Sequence, residues 1–345
     1  MKNNKSLDVF ENMPVRTAVF ENALPAMAAM LMVLVYNLAD TFFIGQTHND
    51  ILVAAVSLAT PVFLLFMAVG TIFGIGGTSV ISRAMGEGRK EYAKKVCSFC
   101  MWGCVVIGII MAVLLLAFMD QLLPLIGARA DTFEYAKTYL IIVCFSGPFV
   151  LIANCYSNVI RAEGQSGKAM MGQLLGNLLN VILDPIMILV FGWNIAGAAI
   201  ATVIGNVVGA GYYLLYFIRG KSSLSIRIKD FTIKDKVASE VFAIGIPAAL
   251  GSLLMSVSSI LMNGQMAQYG DMAVAGVGVA MKVTMMTGMV CIGLGQGIQP
   301  LLGYCVGAKK WDRYKDVLRF SLLFAFVLSV ALTAVCYIFT GQIVS

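Results

Sequence analysis

Long apolar stretches alternate with short polar ones along the whole chain. Nine such runs can be drawn, at 17–45, 51–82, 96–118, 135–160, 169–191, 195–218, 238–267, 272–306 and 317–340. At about 1.5 Å per residue, each is long enough as a helix to cross a hydrocarbon core roughly 30 Å thick. Runs of this length predict helices, which satisfy their backbone N–H and C=O groups internally where no water reaches. Pro25, Pro61, Pro148, Pro185, Pro247 and Pro300 fall inside the runs. Each frees a carbonyl that a neighbouring helix has to satisfy.

Composition removes the main alternatives. Hydrophobic residues make up 59% of the 345 and charged residues 12%, against about 45–50% and 25% in soluble domains. A cytosolic enzyme, a nucleic-acid-binding module (despite the net charge of +6) and an outer-membrane barrel are excluded. The charge instead reports orientation. Of the 24 Lys and Arg, 21 fall on the side of the amino terminus, two (Arg129 and Lys137) fall on the other, and Lys282 lies within a run. This bias predicts a multi-pass protein of the cell membrane with a cytoplasmic amino terminus. The first run is far longer than a signal-peptide core and is expected to stay as a helix.

The chain also repeats itself. Leu24-Pro25-Ala26 returns as Ile246-Pro247-Ala248, and Val53-Ala54-Ala55-Val56 as Val274-Ala275-Gly276-Val277. Gly74-Ile75-Gly76 returns as Gly295-Gln296-Gly297. One unit holds six helices, and an even number starts the second copy on the same side as the first, so the repeats are parallel. The expected fold is an all-α polytopic helix bundle of two parallel six-helix repeats, the second incomplete. The expected domains are a first lobe at 1–219, a cytoplasmic linker at 220–236 and a partial second lobe at 237–345. Counterparts of the fourth to sixth helices are missing from the second copy, so the chain reads as truncated after nine of twelve helices.

Polar groups inside the runs are few, and ionisable ones in a bilayer are functional candidates. The first helix carries Asn37 and Asp40. The fifth carries Gln173, Asn177, Asn180 and Asp184, whose 4, 3, 4 spacing places them on one stripe. Counting along the helices puts Asp184 about 14 Å and Asp40 about 8 Å below the outer surface, at similar depth. Tyr139, Asn154 and Asn158 on the fourth helix and Thr202 and Asn206 on the sixth add neutral groups. Two carboxylates among amide and hydroxyl oxygens, with no thiolate or imidazole, suit a proton or a hard cation such as Na+ rather than zinc. Isolated Asn, Thr and Ser serve equally well as interhelical glue.

The seventh helix repeats the 4, 3, 4 stripe as Ser252, Ser256, Ser259 and Asn263, without a carboxylate. Lys282 lies near the midplane of the eighth, as a switch, a counter-ion or a structural lysine. Met281, Met285, Met286 and Met289 cluster beside it and suit either a pocket for apolar cations or ordinary packing. The eight cysteines all lie in or at the ends of apolar runs, so Cys97, Cys100 and Cys104 read as small packing residues on one face. His48, the only histidine, sits in an outer loop with no catalytic company.

Asn37-Leu38-Ala39-Asp40-Thr41, Arg161-Ala162-Glu163-Gly164-Gln165, Asn180-Val181-Ile182-Leu183-Asp184-Pro185 and Gly303-Tyr304-Cys305-Val306-Gly307-Ala308-Lys309-Lys310, together with Pro25, make the chain resemble the MATE family of multidrug and toxin extrusion transporters. The resemblance implies two lobes around a central cavity and a non-enzymatic antiporter that exports organic cations or drugs in exchange for H+ or Na+. It is similar to the prokaryotic branch with an ion site in the first lobe, which implies that Asp40, Asn180, Asp184 and Thr202 couple the ion. The cavity candidates are Asn37, Tyr139, Asn154, Asn158, Asn177, Ser256, Asn263, Lys282 and Met286. The expected partners are the lipid bilayer and small amphipathic or cationic substrates, with the protein a monomer, no nucleic acid, no cofactor and no metal other than Na+ as a coupling ion at Asp40, Asn180 and Asp184. A lipid-linked oligosaccharide flippase of the same superfamily would line its cavity with several Arg or Lys. A membrane-embedded transferase would need a Mg²⁺-binding acidic cluster, and the sequence offers neither.

Overall fold

The computed structural model describes residues 5–46, 50–129, 131–220, 222–266, 268 and 271–338, leaving some side chains within α10 and α11 outside the description. Twelve α-helices follow one another among these residues: α1 (Lys5–Glu11), α2 (Val15–Gly45), α3 (Asp50–Gly86), α4 (Lys90–Ala117), α5 (Met119–Leu125), α6 (Phe133–Phe145), α7 (Gly147–Ala162), α8 (Ser166–Pro185), α9 (Asn194–Ile218), α10 (Val237–Met266), α11 (Asp271–Gly307) and α12 (Trp311–Ile338). Eight of them are long and apolar enough to cross a membrane singly, and α6 with α7 can form a ninth span bent by 56°.

Twelve helices rather than nine arise for three local reasons. The run at 135–160 breaks at Ser146, whose hydroxyl turns back to the Val143 carbonyl at 2.8 Å. Pro148, in the first turn of α7, brings no N–H where one would have no helical partner. The short α1 and α5 are amphipathic pieces outside the long runs. Phe10 of α1 is buried against Tyr304, and Met119 and Leu123 of α5 are buried. A further departure follows Pro185, where α8 continues as a wider π-helical turn over Ile186–Val190.

The loops after α3, α7, α9 and α11 gather at one end, which carries most of the basic residues. There the segment between α9 and α10 is tied down by the buried Glu163. Its carboxylate accepts from both the Ser222 and Ser223 hydroxyls at 2.8 Å, and from the Ser223 and Leu224 backbone N–H groups. Gly164 makes the turn possible, because its φ of +75° is one that only glycine adopts without strain. Lys95 reaches Asp235 of the same segment at 2.8 Å and holds that exposed carboxyl below its usual pKa.

At this basic end, α10 and α11 lie hard against α2 and α3. A Cβ at Gly245 would overlap the Ile72 carbonyl oxygen, one at Gly76 that of Val241, and one at Gly307 that of Arg83. On the α2–α11 side, a Cβ at Gly293 would stand 2.7 Å from the Met27 Cα, and one at Gly297 2.6 Å from that of Ala23. Helices in lipid gain little from apolar burial against each other, so such close backbone packing is a main source of their attraction. Toward the far end the picture reverses. A Cβ at Gly251, Gly276, Gly278 or Gly288 would meet no described atom within 4 Å, and Leu38, Phe42, Leu254, Leu261 and Met286 are exposed. The two sets of helices form a wedge, shut at the basic end and splayed at the other.

Two substitutions on α10 test this. Gly245→Ala should destabilise by about 1–3 kcal/mol, since overpacking forces backbone to move. Gly251→Ala, in open space, should be neutral or gain up to about 1 kcal/mol of helix propensity. Thermal unfolding midpoints in detergent would separate the two.

Candidate functional site

Asp184 lies in the last turn of α8, next to its final residue Pro185, and is fully buried. It faces α9 because those two helices touch backbone to backbone: a Cβ at Gly176 would stand 2.7 Å from the Gly205 carbonyl oxygen, and the reverse holds at the same distance. This approach brings the buried Asn180 and Thr202 together, with the Asn180 amide 3.3 Å from the Thr202 hydroxyl. With the amide turned over, Asn180 donates to Asp184 Oδ2 at 3.1 Å and accepts from the Thr202 N–H at 3.0 Å. In that orientation, Asn180 couples the carboxylate to α9.

The half-buried Asp40 comes from α2, which packs along α8, and stands close enough to Asp184 for their charges to interact. Tyr36, one turn before Asp40, and Tyr139 of α6 both approach Thr202 and lie in the field of both carboxylates. Asp40 Oδ1, Asp184 Oδ1 and Asn177 Nδ2 are buried without a hydrogen-bond partner. Among the described residues neither carboxylate forms an ion pair. Buried acceptors of this kind are rare without a reason, and a proton or a hard cation is what a pair of free carboxylate oxygens can take.

Of the residues expected to couple an ion, Asp40, Asn180, Asp184 and Thr202 therefore lie together, and Tyr139 with them. The cavity candidates scatter. Asn37 is exposed and bonds its own helix through the Val33 carbonyl at 2.9 Å. Asn154 reaches Met67 Sδ at 3.5 Å in the contact between α7 and α3. Asn158 belongs to a different polar group, where its Oδ1 accepts from Arg161 at 3.0 Å. Met286 is exposed on the splayed half of α11. Ser256, Asn263 and Lys282 have side chains outside the described set, and His48 lies outside the described residues.

Two features escaped the sequence reading. Tyr36 sits four residues before Asp40, a spacing that marks one helical face. Arg161, counted with the loop cations, is instead wholly buried. Its position one residue from the end of α7 gave no sign of that.

A family model, MatE, matches residues 25–186 and 247–345. The chain belongs to the MATE family. Both matched stretches of this MATE chain open at a proline, Pro25 and Pro247. Over 316 residues it is 35% identical to the multidrug export protein MepA of Staphylococcus aureus (strain NCTC 8325 / PS 47), covering 92% of this chain and 70% of that protein. MepA of Staphylococcus haemolyticus (strain JCSC1435) is 33% identical over 338 residues, covering 96% and 74%. A solved structure of the outward-facing conformation of a multidrug resistance MATE family transporter of the MOP superfamily superposes with a TM-score of 0.94 at 25% identity, covering 99% of this chain and 76% of that one. The chain is thus a multi-pass, non-enzymatic membrane transporter of MATE type.

Asn180→Leu removes the link between Asp184 and α9 at similar volume. It should lower stability by about 1–3 kcal/mol, because buried groups lose their partners. Asn37→Leu, whose amide serves only its own helix, should leave the unfolding midpoint nearly unchanged.

Proposed function

We propose that this MATE chain exports organic cations or drugs in exchange for H+ or Na+. Asp40 and Asp184, supported by Asn180 and Thr202, bind the coupling ion, and the helices of 1–219 and 237–345 act as two lobes that rock about the seam. The observation that carries this reading is the pair of carboxylates, Asp184 buried and Asp40 half-buried, supplied by two helices beside the neutral Asn180 and Thr202. They form no ion pair among the described residues, and each has a buried oxygen lacking a hydrogen-bond partner. The multidrug export relatives support the substrate class. An ion shifts a conformational equilibrium only through different affinities for the two states. Both carboxylates belong to the 1–219 lobe, but α2, which carries Asp40, also packs along α11 of the other lobe, so a change of ion at the site can be felt at the seam when the lobes move.

Asp40→Asn preserves shape and hydrogen bonding but removes the charge. In proteoliposomes with an imposed ΔpH or ΔNa+, drug export against a gradient should fall by roughly tenfold or more, within the usual range of coupling free energies. Drug binding without a gradient should survive at least in part. Asp184→Asn should behave alike, and the double variant should be little worse than either single one if the pair acts as a unit. Full export by Asp40→Asn would overturn the assignment.

The basic end is proposed to face the cytoplasm, by the excess of Lys and Arg there. A reporter fused after Gly220 should read cytoplasmic and one at Asn49 external. The opposite pattern would invert the transport direction inferred here.

A further inference from the structure

Among the described residues, Arg161 is the largest side chain that is fully buried, and no carboxylate lies within ion-pair distance of it. Its neighbour in sequence, Glu163, is turned to the α9–α10 segment and takes up the hydrogen bonds of Ser222, Ser223 and Leu224. The guanidinium is served only by amide oxygens: Asn158 Oδ1 at 3.0 Å, Gln296 Oε1 at 3.1 Å and Gln173 Oε1 at 3.5 Å. Its Nε has no partner. Asn158 and Gln173 sit on α7 and α8, alongside Arg161, but Gln296 belongs to α11 on the opposite side of the seam. Gln296 stands where the internal repeat has Ile75 in the first copy, so a polar group has been placed in the second copy alone. The flanking Gly293 and Gly297 are the glycines that let α11 lie against α2, so the contact exists only while the basic end is shut.

We propose that Arg161 and Gln296 form a releasable tie between the two helix sets, and that the neutrality of Gln296 sets the balance between the shut and open basic end. A guanidinium buried without a counter-ion is poorly compensated for the water it gives up, and opening the seam returns that water. The amide of Gln296 offsets part of this penalty and favours the shut state, while leaving it weak enough to reverse in each cycle. The bond from the guanidinium to the Gln296 amide already has one charged partner; a carboxylate in its place would add the second and supply the counter-ion that Arg161 lacks, and would hold the seam closed. Arg161 is thus a positioning residue that acts on the lobes rather than on the exported molecule or ion. The proposal rests on the rocking of two lobes inferred above.

Hydrogen–deuterium exchange of the full chain in lipid nanodiscs reads the seam directly, through peptides covering 72–86 and 289–307. It requires no ion gradient, so failure of the ion assignment at Asp40 leaves it interpretable. Gln296→Glu should slow exchange in these peptides by on the order of tenfold, in the usual range of coupling between two states, and should slow drug export as well. Gln296→Leu should speed exchange. Gln173→Glu neutralises Arg161 from its own side of the seam and should give no protection across it. In an Arg161→Gln background, Gln296→Glu leaves an unpaired carboxylate and should speed exchange instead of slowing it. A misfolded variant would show faster exchange throughout, including in α4, whereas the proposal confines the change to the seam. The same effect of Gln296→Glu with and without Arg161, or equal protection by Gln173→Glu, would overturn the proposal.

Discussion

Backbone meets backbone along the seam where α10 and α11 lie on α2 and α3, and the rest of the molecule is arranged around that contact. Side chains larger than hydrogen at Gly76, Gly245 and Gly307 would occupy the space of a facing carbonyl oxygen. In a lipid environment, where apolar surface gains little by leaving the solvent, this closeness supplies dispersion and polar contacts that nothing else replaces. Because it is confined to the basic end, the helices can diverge beyond it. The divergence exposes apolar residues such as Leu254 and Leu261 on α10 while the opposite ends of the same helices are packed tight.

Two helices lead to the carboxylate site from the basic half, α2 from the seam itself and α8 from the Arg161 group beside it. On α2, Ala23 and Met27 touch the glycines of α11, and Asp40 lies about 20 Å further along. On α8, Gln173 serves Arg161, and Asp184 lies about 16 Å beyond it. The stripe of polar residues on α8 therefore divides in two. One end faces the buried guanidinium of Arg161, and the other presents a carboxylate to Asn180, Thr202 and Asp40. The groups differ in satisfaction as well as in charge. Each of the two carboxylates retains a buried oxygen with no partner, whereas the guanidinium holds three amides and lacks only a partner for Nε. An unfilled acceptor pair is suited to binding, and a nearly filled donor fork is suited to holding elements together.

The helices and most of the carboxylate group were legible in the chain. Runs of about 20 or more apolar residues have one solution in hydrocarbon, and the 4, 3, 4 spacing of Gln173, Asn177, Asn180 and Asp184 projects them from one face whatever surrounds them. The break between α6 and α7 was less legible. A proline inside a long helix is tolerated at Pro25, Pro61, Pro247 and Pro300 but marks the start of a new helix at Pro148. The difference lies in the surroundings, since Gly108 of α4 presses against Pro148 and the Phe66 ring against Gly147.

Periodicity and charge, which are properties of one segment at a time, were enough to establish the all-helical class, the distribution of basic loops and the internal repeat. They also singled out Asp40 and Asp184, because a carboxylate in an apolar run is conspicuous without any knowledge of its neighbours. What a side chain faces is a property of two or more segments, and tertiary packing alone decided it. Arg161, one residue from a helix end, has the sequence of a loop cation, yet it is fully buried with partners from its own helix and from α8 and α11. Asn158 and Gln173 looked like members of the same polar site as Asp184, yet Asn158 bonds Arg161 one turn along its own helix, and the packing of α8 on α7 gives Gln173 to Arg161 as well. Helical spacing fixes direction around one axis, but only the crossing of helices determines which partner stands there.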